Sequence, residues 1–408
     1  MSKHLQAPEP SQQPKHPASP ADFTAACAGL AAVLAADVES RELAGLAPHA
    51  EVELFRDAGI LPALIPAERG GIGLGWRELL TAIRPILRVD ASVGHALAYH
   101  YVNSWRINLN RNADSIAALE QETAARQLFW GGAGNPRDAG LTLMPDGRNF
   151  LVSGRKFFAT GAEVADRITA SGTRADTGEK LAIVIDGRGS GVSHPGDWDN
   201  IGQRLSASGS VIFDNAIVAP ECVLGSNEQT GDPQSPRGSL SILLFQAVLC
   251  HLHVAIAEGA LESAAEYTRT KTRPWATSGV DLATEDPYIR TTHGELVSQV
   301  RAADALTWRA TERLIAAMET GWELSDDARG EAAIEIAAAK VSSTRAVLEA
   351  TSKAFELTGA RATARSAQFD RFWRNARTIT LHDPVAYKAQ EVGIYELTGV
   401  YPTPSAYS

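Results

Sequence analysis

The sequence predicts a mainly α-helical protein with a central antiparallel β domain. Three observations support this fold class. Apolar residues recur at helical spacing from about Ala21 to Gln127. Short β-type runs separated by turn signals begin at about Phe129. Helical spacing returns after Gly238 and continues toward the carboxyl end.

The chain of 408 residues is long enough for several packed units. Its first residues are rich in Pro, Ser and Gln and lack the apolar stretch of a signal peptide, so we predict a disordered tail there. The predicted divisions are the tail at residues 1–20, an amino-terminal helical domain at 21–128, the β domain at 129–235 and a helical bundle with a carboxyl-terminal tail at 236–408.

The composition excludes several classes of protein. A net charge of −10 gives no basic face for nucleic acid, so we expect no nucleic-acid partner. The three cysteines, Cys27, Cys222 and Cys250, are far apart, which predicts neither a disulfide scaffold nor a metal site and fits a cytoplasmic location. The apolar stretch from Ser241 to Leu261 contains polar side chains that are costly in lipid, so it is predicted to be a buried helix, not a membrane span.

The amino-terminal helices contain a histidine and a tyrosine on one predicted face. His95 and Tyr99 are four residues apart in the stretch Asp90–Trp105, whereas His100 points elsewhere. Two interpretations stay open on spacing alone: a polar-aromatic seam in the core, or a His–Tyr pair on the wall of a pocket.

The middle of the chain alternates short apolar runs with turn dipeptides such as Asp146-Gly147 and Asp186-Gly187. This pattern predicts an antiparallel unit of about 100 residues. The predicted strands are Asn149–Ser153, Lys156–Ala159, Arg167–Ser171, Leu181–Ile185 and Ser210–Phe213.

Three long helices are predicted in the last part of the chain, and they imply an antiparallel bundle. Ser325 is the predicted cap of the third, which stops at Gly359. The helices are predicted at Ser239–Thr272, Glu295–Glu319 and Asp327–Leu357.

A further helical run ends at His382-Asp383-Pro384. Proline disfavours helix at the residue before it, so His382 is expected where the helix breaks. An imidazole there can face a cavity or serve a structural role. An Asp before proline is expected to make a local turn hydrogen bond.

Several motifs, taken in order, resemble the acyl-CoA dehydrogenase superfamily. They are Leu54–Trp76, the GRKFFAT segment Gly154–Thr160 and the GQRLSASGSVIF run within Trp198–Gly225. Other stretches are similar to its branch of two-component flavin-dependent monooxygenases: Tyr267–Trp275, Ala283–Ile289, Phe369–Lys388 and the final TGVYPTPSAYS. The resemblance covers the chain from about Ala44. It implies a helical domain, a β-barrel-like middle domain and a four-helix bundle.

The branch implies a monooxygenase that uses reduced FMN (FMNH2) and O2. A separate NAD(P)H-flavin reductase would supply the FMNH2, and a hydroperoxide at flavin C4a would give one oxygen atom to a heteroatom of a small molecule. Sulfur is the first choice of heteroatom and nitrogen the second. A dehydrogenase instead needs a carboxylate base. The sequence has no Glu at Phe245-Gln246 or at His382-Asp383-Pro384, where the superfamily places it.

The resemblance also implies roles for catalytic residues. His382 occupies the position of a residue that donates a hydrogen bond or proton beside the flavin. His95 and Tyr99 match a pair that lines the same pocket.

Cofactor contacts are implied in the same way. Thr160 corresponds to a residue near flavin N5, and Phe158 to one that stacks on the ring. Trp198 and Ser208 match residues that border the flavin and substrate region. Two arginines are implied at the flavin phosphate: Arg269, and Arg361 reaching the flavin of a neighbouring subunit of a homotetramer. FAD-binding relatives have a Gly-Gly pair for the adenine-bearing pyrophosphate where this chain reads GARA from Gly359, and its absence there favours FMN over FAD.

Two other hypotheses remain. The chain could be an FAD-dependent acyl-CoA dehydrogenase in which Asp383 replaces the base. It could also be a non-catalytic scaffold, which would bind no flavin.

Overall fold

The amino-terminal part of the protein is helical, as predicted. The computed structural model describes residues 17–226 and 235–408, so the predicted tail at residues 1–20 lies almost entirely outside the described residues. The helices are α1 (Pro20–Ala35), α2 (Val38–Ala44), α3 (His49–Asp57), α4 (Trp76–Val89), α5 (Ala91–Trp105) and α6 (Ala113–Arg126).

A sheet of eight strands follows these helices. Its order is β6-β7-β3-β2-β4-β5-β8, and β1 pairs with β4 outside this path. The strands are β1 (Trp130–Ala133), β2 (Leu141–Asp146), β3 (Asn149–Lys156), β4 (Arg167–Arg174), β5 (Lys180–Asp186), β6 (Val192–Ser193), β7 (Val211–Val218) and β8 (Val223–Ser226).

The predicted central β domain is confirmed, but its sheet is mixed and not antiparallel throughout. Strands β1 and β2 each run parallel to β4, while the remaining pairs are antiparallel. Alternation along a strand shows which residues share a face but not the direction of the neighbouring strand. The predicted strand Lys156–Ala159 is wrong, because β3 ends at Lys156 and Phe158 has a left-handed φ of 54°.

The carboxyl-terminal part is the predicted helical bundle. Ser325 caps α9 by accepting from the backbone N–H of Ala328, and Gly359 ends it. The second long helix begins earlier than predicted, because Asp286 caps it and Pro287 is its first residue. The helices are α7 (Leu240–Thr270), α8 (Pro287–Glu319), α9 (Asp326–Thr358), α10 (Asp370–Ile379) and α11 (Val385–Thr398).

Helix α7 lies in the interior of the protein. It is long and apolar enough to cross a membrane, but 89% of its apolar window is buried within the protein. Its polar side chains have partners there: His251 lies 2.9 Å from the Thr311 hydroxyl and His253 lies 3.1 Å from the Ser343 hydroxyl. These contacts support the prediction of a core helix, because buried polar groups need hydrogen bonds.

Helix α10, in the carboxyl-terminal part, contacts both the amino-terminal helices and the β domain. The Arg374 guanidinium donates to Glu42 in α2 and to the carbonyl of Ile201 in the β domain, both at 2.7 Å. The side chain of Glu42 is buried, so this is a sheltered ion pair and not a solvated surface contact. The contacts hold the turn after α10, which contains His382, beside the sheet and the amino-terminal helices.

Candidate functional site

His382 lies in the turn between α10 and α11, as the sequence predicted. Its backbone N–H donates to the carbonyl of Ile379 at 3.2 Å, and Pro384 precedes the first residue of α11. The side chain keeps 36% of its surface exposed, and its ring centroid is 6.4 Å from that of Tyr407. The imidazole is therefore held at a helix break and is partly exposed.

Asp383 is the centre of a buried polar network. In place of the expected local turn hydrogen bond, its Oδ1 accepts from His382 Nδ1 at 3.0 Å, Lys340 Nζ at 2.9 Å and Gln246 Nε2 at 3.1 Å. Burial alone would raise the pKa of the Asp383 carboxyl. The His382 hydrogen bond and the Lys340 charge outweigh burial and hold that pKa well below its ordinary value. Asp383 is therefore an ionised acceptor.

His95 and Tyr99 share one buried face of α5, with ring centroids 4.3 Å apart. Nδ1 of His95 lies 3.1 Å from Oε1 of Gln203. Burial, with a smaller contribution from the nearby His382, lowers the pKa of His95 to about 3, so the ring is neutral. An amide oxygen only accepts, so the ring proton is on Nδ1 and His95 Nε2 is an acceptor.

Two polar atoms of this pair face no protein partner. Neither Nε2 of His95 nor the hydroxyl of Tyr99 has a hydrogen-bond partner within residues 17–226 and 235–408, although both are buried. Burial, followed by the charge of Asp383, raises the pKa of Tyr99, so its hydroxyl remains a donor. Unpaired buried polar groups are costly, which indicates that a ligand completes this site.

A chain of hydroxyl groups connects the β domain to the same site. Thr160 Oγ1 lies 2.8 Å from Ser208 Oγ, which lies 2.7 Å from Ser206 Oγ. The Ser206 hydroxyl and the indole N–H of Trp198 both donate to the carbonyl of Gln203, each at 2.7 Å. The structure thus brings Thr160, which follows β3, against Ser208 in the loop between β6 and β7. That loop also contains Trp198 and contacts His95 through Gln203.

Phe158 stands at the edge of this group. Its side chain is 67% exposed, and the edge of its ring contacts Trp198 with centroids 6.1 Å apart. A left-handed backbone is rare for a bulky residue and occurs at sites that hold ligands. This conformation turns an aromatic ring outward beside Thr160.

The two predicted phosphate-binding arginines are not part of this cluster within one chain. Arg269 lies in the last turn of α7 and pairs with Glu266 at 2.9 Å. Phe245, whose ring is 4.8 Å from that of Tyr99, is on the same helix, about 36 Å away at about 1.5 Å per residue. Arg361 follows α9 at the same end of the bundle, where Thr268 bonds to the carbonyl of Leu357.

Sequence reasoning missed four residues: Lys340 and Gln246 in the Asp383 network, Gln203 beside His95, and Asn375, whose Oδ1 accepts from the backbone N–H of Gln203. Lys340 and Gln246 lie inside predicted helices, Gln203 lies in a loop and Asn375 lies in α10. A polar residue in an otherwise apolar stretch is the one available signal, as for Gln246 in α7. Its meaning depends on partners that are distant in the sequence.

Comparisons with known proteins agree with this geometry. Residues 247–387 match a family model described as acyl-CoA dehydrogenase, C-terminal domain. The chain is 35% identical to dibenzothiophene monooxygenase from Rhodococcus erythropolis, across 98% of each protein. The chain belongs to the acyl-CoA dehydrogenase superfamily, in its flavin-dependent monooxygenase branch.

Other members of this branch are equally similar to the whole chain. A probable FMNH2-dependent monooxygenase, SfnC from Pseudomonas putida, is 37% identical over 93% of this chain and 95% of its own length. The FMN-bound structure of TdsC from Paenibacillus sp. A11-2 superposes with a TM-score of 0.89 at 37% identity, and covers 95% of this chain and 100% of its own. These matches confirm the predicted family and its helix–sheet–helix architecture.

Proposed function

We propose that this protein is an FMNH2-dependent monooxygenase that transfers one oxygen atom from O2 to sulfur in a small organic substrate. A separate NAD(P)H-flavin reductase would deliver the reduced FMN. The observation that carries the proposal is the ionisation and hydrogen bonding of Asp383. It lies where a dehydrogenase would need its base, yet it is ionised, has a lowered pKa and already accepts from three donors. Such a carboxylate is too weak a base to remove a substrate proton.

The residues of the site fit an isoalloxazine ring. Such a ring is planar, with polar atoms along its edge. The unpartnered Nε2 of His95 and hydroxyl of Tyr99 can bond polar groups, and the Thr160 hydroxyl contacts Ser208 of the loop that holds Gln203 against His95. The exposed ring of Phe158 offers a stacking surface. Reduced FMN supplies the electrons that activate O2 when it is bound.

The protein's own groups control protons and water. His382 keeps Nδ1 directed at Asp383, so Nε2 is the ring atom left to hold or deliver a proton. Tyr99 donates from a hydroxyl that stays protonated, and His95 accepts at Nε2. The burial of both side chains excludes water, which would otherwise divert activated oxygen to hydrogen peroxide.

We also propose that the protein is a homotetramer in the cytoplasm. Because Arg269 and Arg361 lie at the far end of the bundle, one chain cannot place them at the phosphate of an FMN held by its own Thr160. A neighbouring subunit can, and Arg suits phosphate because its planar fork donates two bonds. Three unpaired cysteines agree with a reducing compartment.

The test combines the purified protein with a flavin reductase, NADH, FMN and O2. Candidate substrates are dibenzothiophene, an alkyl sulfide and methanesulfinate, with an amine as the nitrogen alternative. We expect a product that contains one oxygen atom from ¹⁸O₂. Normal binding of reduced FMN without any oxygenated product would refute the proposal. Anaerobic bleaching of a tightly held FAD by an acyl-CoA would instead support a dehydrogenase, and failure to bind any flavin would support a scaffold.

Subunit sharing has its own test. Variants His382→Ala and Arg269→Ala are mixed, dissociated and reassembled. If neighbouring subunits share each site, some mixed sites contain both native residues and activity returns. Activity that stays at the level of the separate variants would contradict sharing.

A further inference from the structure

Lys340 is a completely buried lysine in the middle of α9, a helix rich in small side chains. Its side chain is 0% exposed, and that of its partner Asp383 is 4% exposed. A buried ion pair is weak support for stability, because apolar residues of similar volume often replace one without loss. Stability alone therefore does not explain the pair. His382 also contacts Asp383, and it is the one residue of the three with an exposed side chain.

We propose that Lys340 is a positioning residue for His382, acting through Asp383. The inference rests on the proposed function, since it assigns the group that prepares His382 for oxygen transfer. The contacts fix the imidazole with Nδ1 donating to Asp383 and Nε2 left for the reacting site. Lys340 itself is fully enclosed and acts only through its partners.

The hydrogen bonds form a closed ring that removes the freedom of Asp383. Lys340 Nζ donates both to Asp383 Oδ1 at 2.9 Å and to Gln246 Oε1 at 2.7 Å. The amide of Gln246 returns a bond to the same Oδ1 at 3.1 Å. The oxygen and the nitrogen of the Gln246 amide therefore each have a partner. The Asp383 carboxylate cannot rotate without breaking its hydrogen bonds to Lys340 and Gln246. The acceptor that orients the imidazole is thereby fixed.

The charges give Lys340 a second effect on His382. Lys340 Nζ pairs with Asp383 Oδ1 at 2.9 Å, so the imidazole can gain or lose a proton without leaving the buried carboxylate unpaired. The other titratable groups near this triad are His253 and Cys250 on α7, His95 and Tyr99 on α5, and Tyr407 in the final stretch. Lys388 on α11 is also near, but it pairs with Glu391 at 2.9 Å. The two buried histidines are neutral, because burial lowers the pKa of each. Lys340 is therefore the cation that balances Asp383.

Removing the Lys340 side chain should change the proton affinity of His382 in a predictable direction. In Lys340→Met, the imidazolium of His382 becomes the remaining counter-ion of Asp383, so His382 should hold its proton to a higher pH. A purely structural ion pair would change stability but would leave the proton equilibrium of His382 where it was. This difference separates the two roles.

The first measurement needs no activity. The full-length protein is labelled with [¹³Cε1]histidine, and the resonance of His382 is assigned by its loss in His382→Gln. We expect its titration midpoint to rise by about one pH unit or more in Lys340→Met, and to fall in Asp383→Asn. Lys340→Arg keeps the charge and should stay near the wild type. Lys353→Met is the matched control, because Lys353 is on the same helix but pairs with Glu349 at the surface. An unchanged midpoint in Lys340→Met would overturn the proposal.

The second measurement is the yield of oxygenated product per NADH consumed. We expect a loss of about tenfold or more in Lys340→Met, since small displacements of a reacting group are costly. The double variant Lys340→Met/Asp383→Asn should be no worse than Asp383→Asn alone, because Lys340 acts through Asp383. Additive losses would overturn the proposal. The double variant leaves no unpaired buried charge, so if the single variants do not fold its yield is compared with that of the wild type, and an unchanged yield would overturn the proposal.

The two measurements separate the inference from the function on which it rests. If the midpoint of His382 moves as expected but wild-type protein yields no oxygenated product, the proposed function fails and the positioning role stands. If wild-type protein oxygenates its substrate but Lys340→Met changes neither readout, the function stands and the positioning role fails.

Discussion

Oε1 of Gln203 in the β domain lies 3.1 Å from Nδ1 of His95 in α5. This one contact sets the tautomer of the histidine across a domain boundary. Gln203 is fixed in turn by α10, because Asn375 Oδ1 accepts from its backbone N–H. The sheet, the amino-terminal helices and the bundle therefore meet at a single glutamine. By holding the ring proton on Nδ1, Gln203 keeps Nε2 of His95 an acceptor.

Replacing Gln203 with leucine should damage both stability and oxygen transfer. The change leaves a buried N–H of His95 without an acceptor, which costs about 1–3 kcal/mol. It also frees the ring to change tautomer, so more NADH should be spent on hydrogen peroxide. Urea unfolding and the ratio of product to peroxide measure the two effects.

Gln368 provides the matched control for Gln203. It is also a buried glutamine with a left-handed backbone, at φ 49° compared with 57° for Gln203. Its amide donates to the carbonyl of Arg365, away from the site. Gln368→Leu should reduce stability and leave the product ratio unchanged. An equal loss of coupling in both variants would refute the role given to Gln203.

His382→Ala should uncouple oxygen consumption from product formation. General acid catalysis contributes about 10²-fold or more, so we expect product formation to fall by about that factor while NADH oxidation continues. Hydrogen peroxide should account for the difference. His49→Ala, at an exposed histidine that begins α3, is the control and should behave as wild type. Full coupling in His382→Ala would remove His382 from the mechanism.

Local sequence rules predicted the parts of the site that depend on one element. The spacing of His95 and Tyr99 placed them on one face, and Pro384 placed His382 at a helix break. Thr160 and Ser208 required a family resemblance, because nothing in a short strand motif shows that two hydroxyls meet at 2.8 Å. The prediction of their contacts with flavin stays a prediction.

The remaining parts depend on the packing of distant elements. Lys340 is in α9 and Asp383 is in the turn between α10 and α11. Neither residue stands out from the sequence of its own segment. The parallel pairing of β2 with β4 depends similarly on a crossover that strand alternation does not encode. For Arg269, the sequence gives the residue type suited to phosphate, whereas its distance from Phe245 follows from the length of α7.

Gly202→Ala should destabilise the protein, because there is no space for a side chain. A Cβ atom at this residue would lie 2.1 Å from the backbone oxygen of Arg374 and 2.7 Å from the backbone nitrogen of Asn375. Neither atom belongs to a flexible side chain, so α10 or the Gln203 loop must move. Such overpacking costs about 1–3 kcal/mol, which a lower urea midpoint would reveal.

Gly294→Ala is the control for Gly202→Ala. Gly294 lies inside α8, and a Cβ atom there would meet nothing within 4 Å. Alanine is the better helix former, so this variant should gain up to about 1 kcal/mol. If Gly202→Ala were as stable as Gly294→Ala, the close approach of the Gln203 loop to α10 would be refuted.

Buried neutral histidines should make the protein sensitive to mild acid. Burial lowers the pKa of His95 and of His251 to about 3, and that of His100 to about 4, from an ordinary value of 6.5. The unfolded chain binds protons at these groups below pH 6.5, whereas the folded protein does not until about pH 3 to 4. Stability is therefore lost as pH falls from about 6.5 toward 4, by up to about 1.4 kcal/mol per pH unit for each histidine.

His251→Gln tests the source of this acid sensitivity. Nε2 of His251 lies 2.9 Å from the Thr311 hydroxyl, a contact that a glutamine amide can replace without titrating. Urea midpoints measured from pH 8 to pH 5 should therefore fall less steeply for the variant. The difference in the slope of unfolding free energy against pH should correspond to the uptake of about one proton fewer on unfolding. The Asp383 carboxyl does not confuse the result: its lowered pKa affects stability only below its ordinary range, under about pH 4. A wild-type midpoint that stays constant from pH 7 to pH 5 would show that these histidines are protonated in the folded protein.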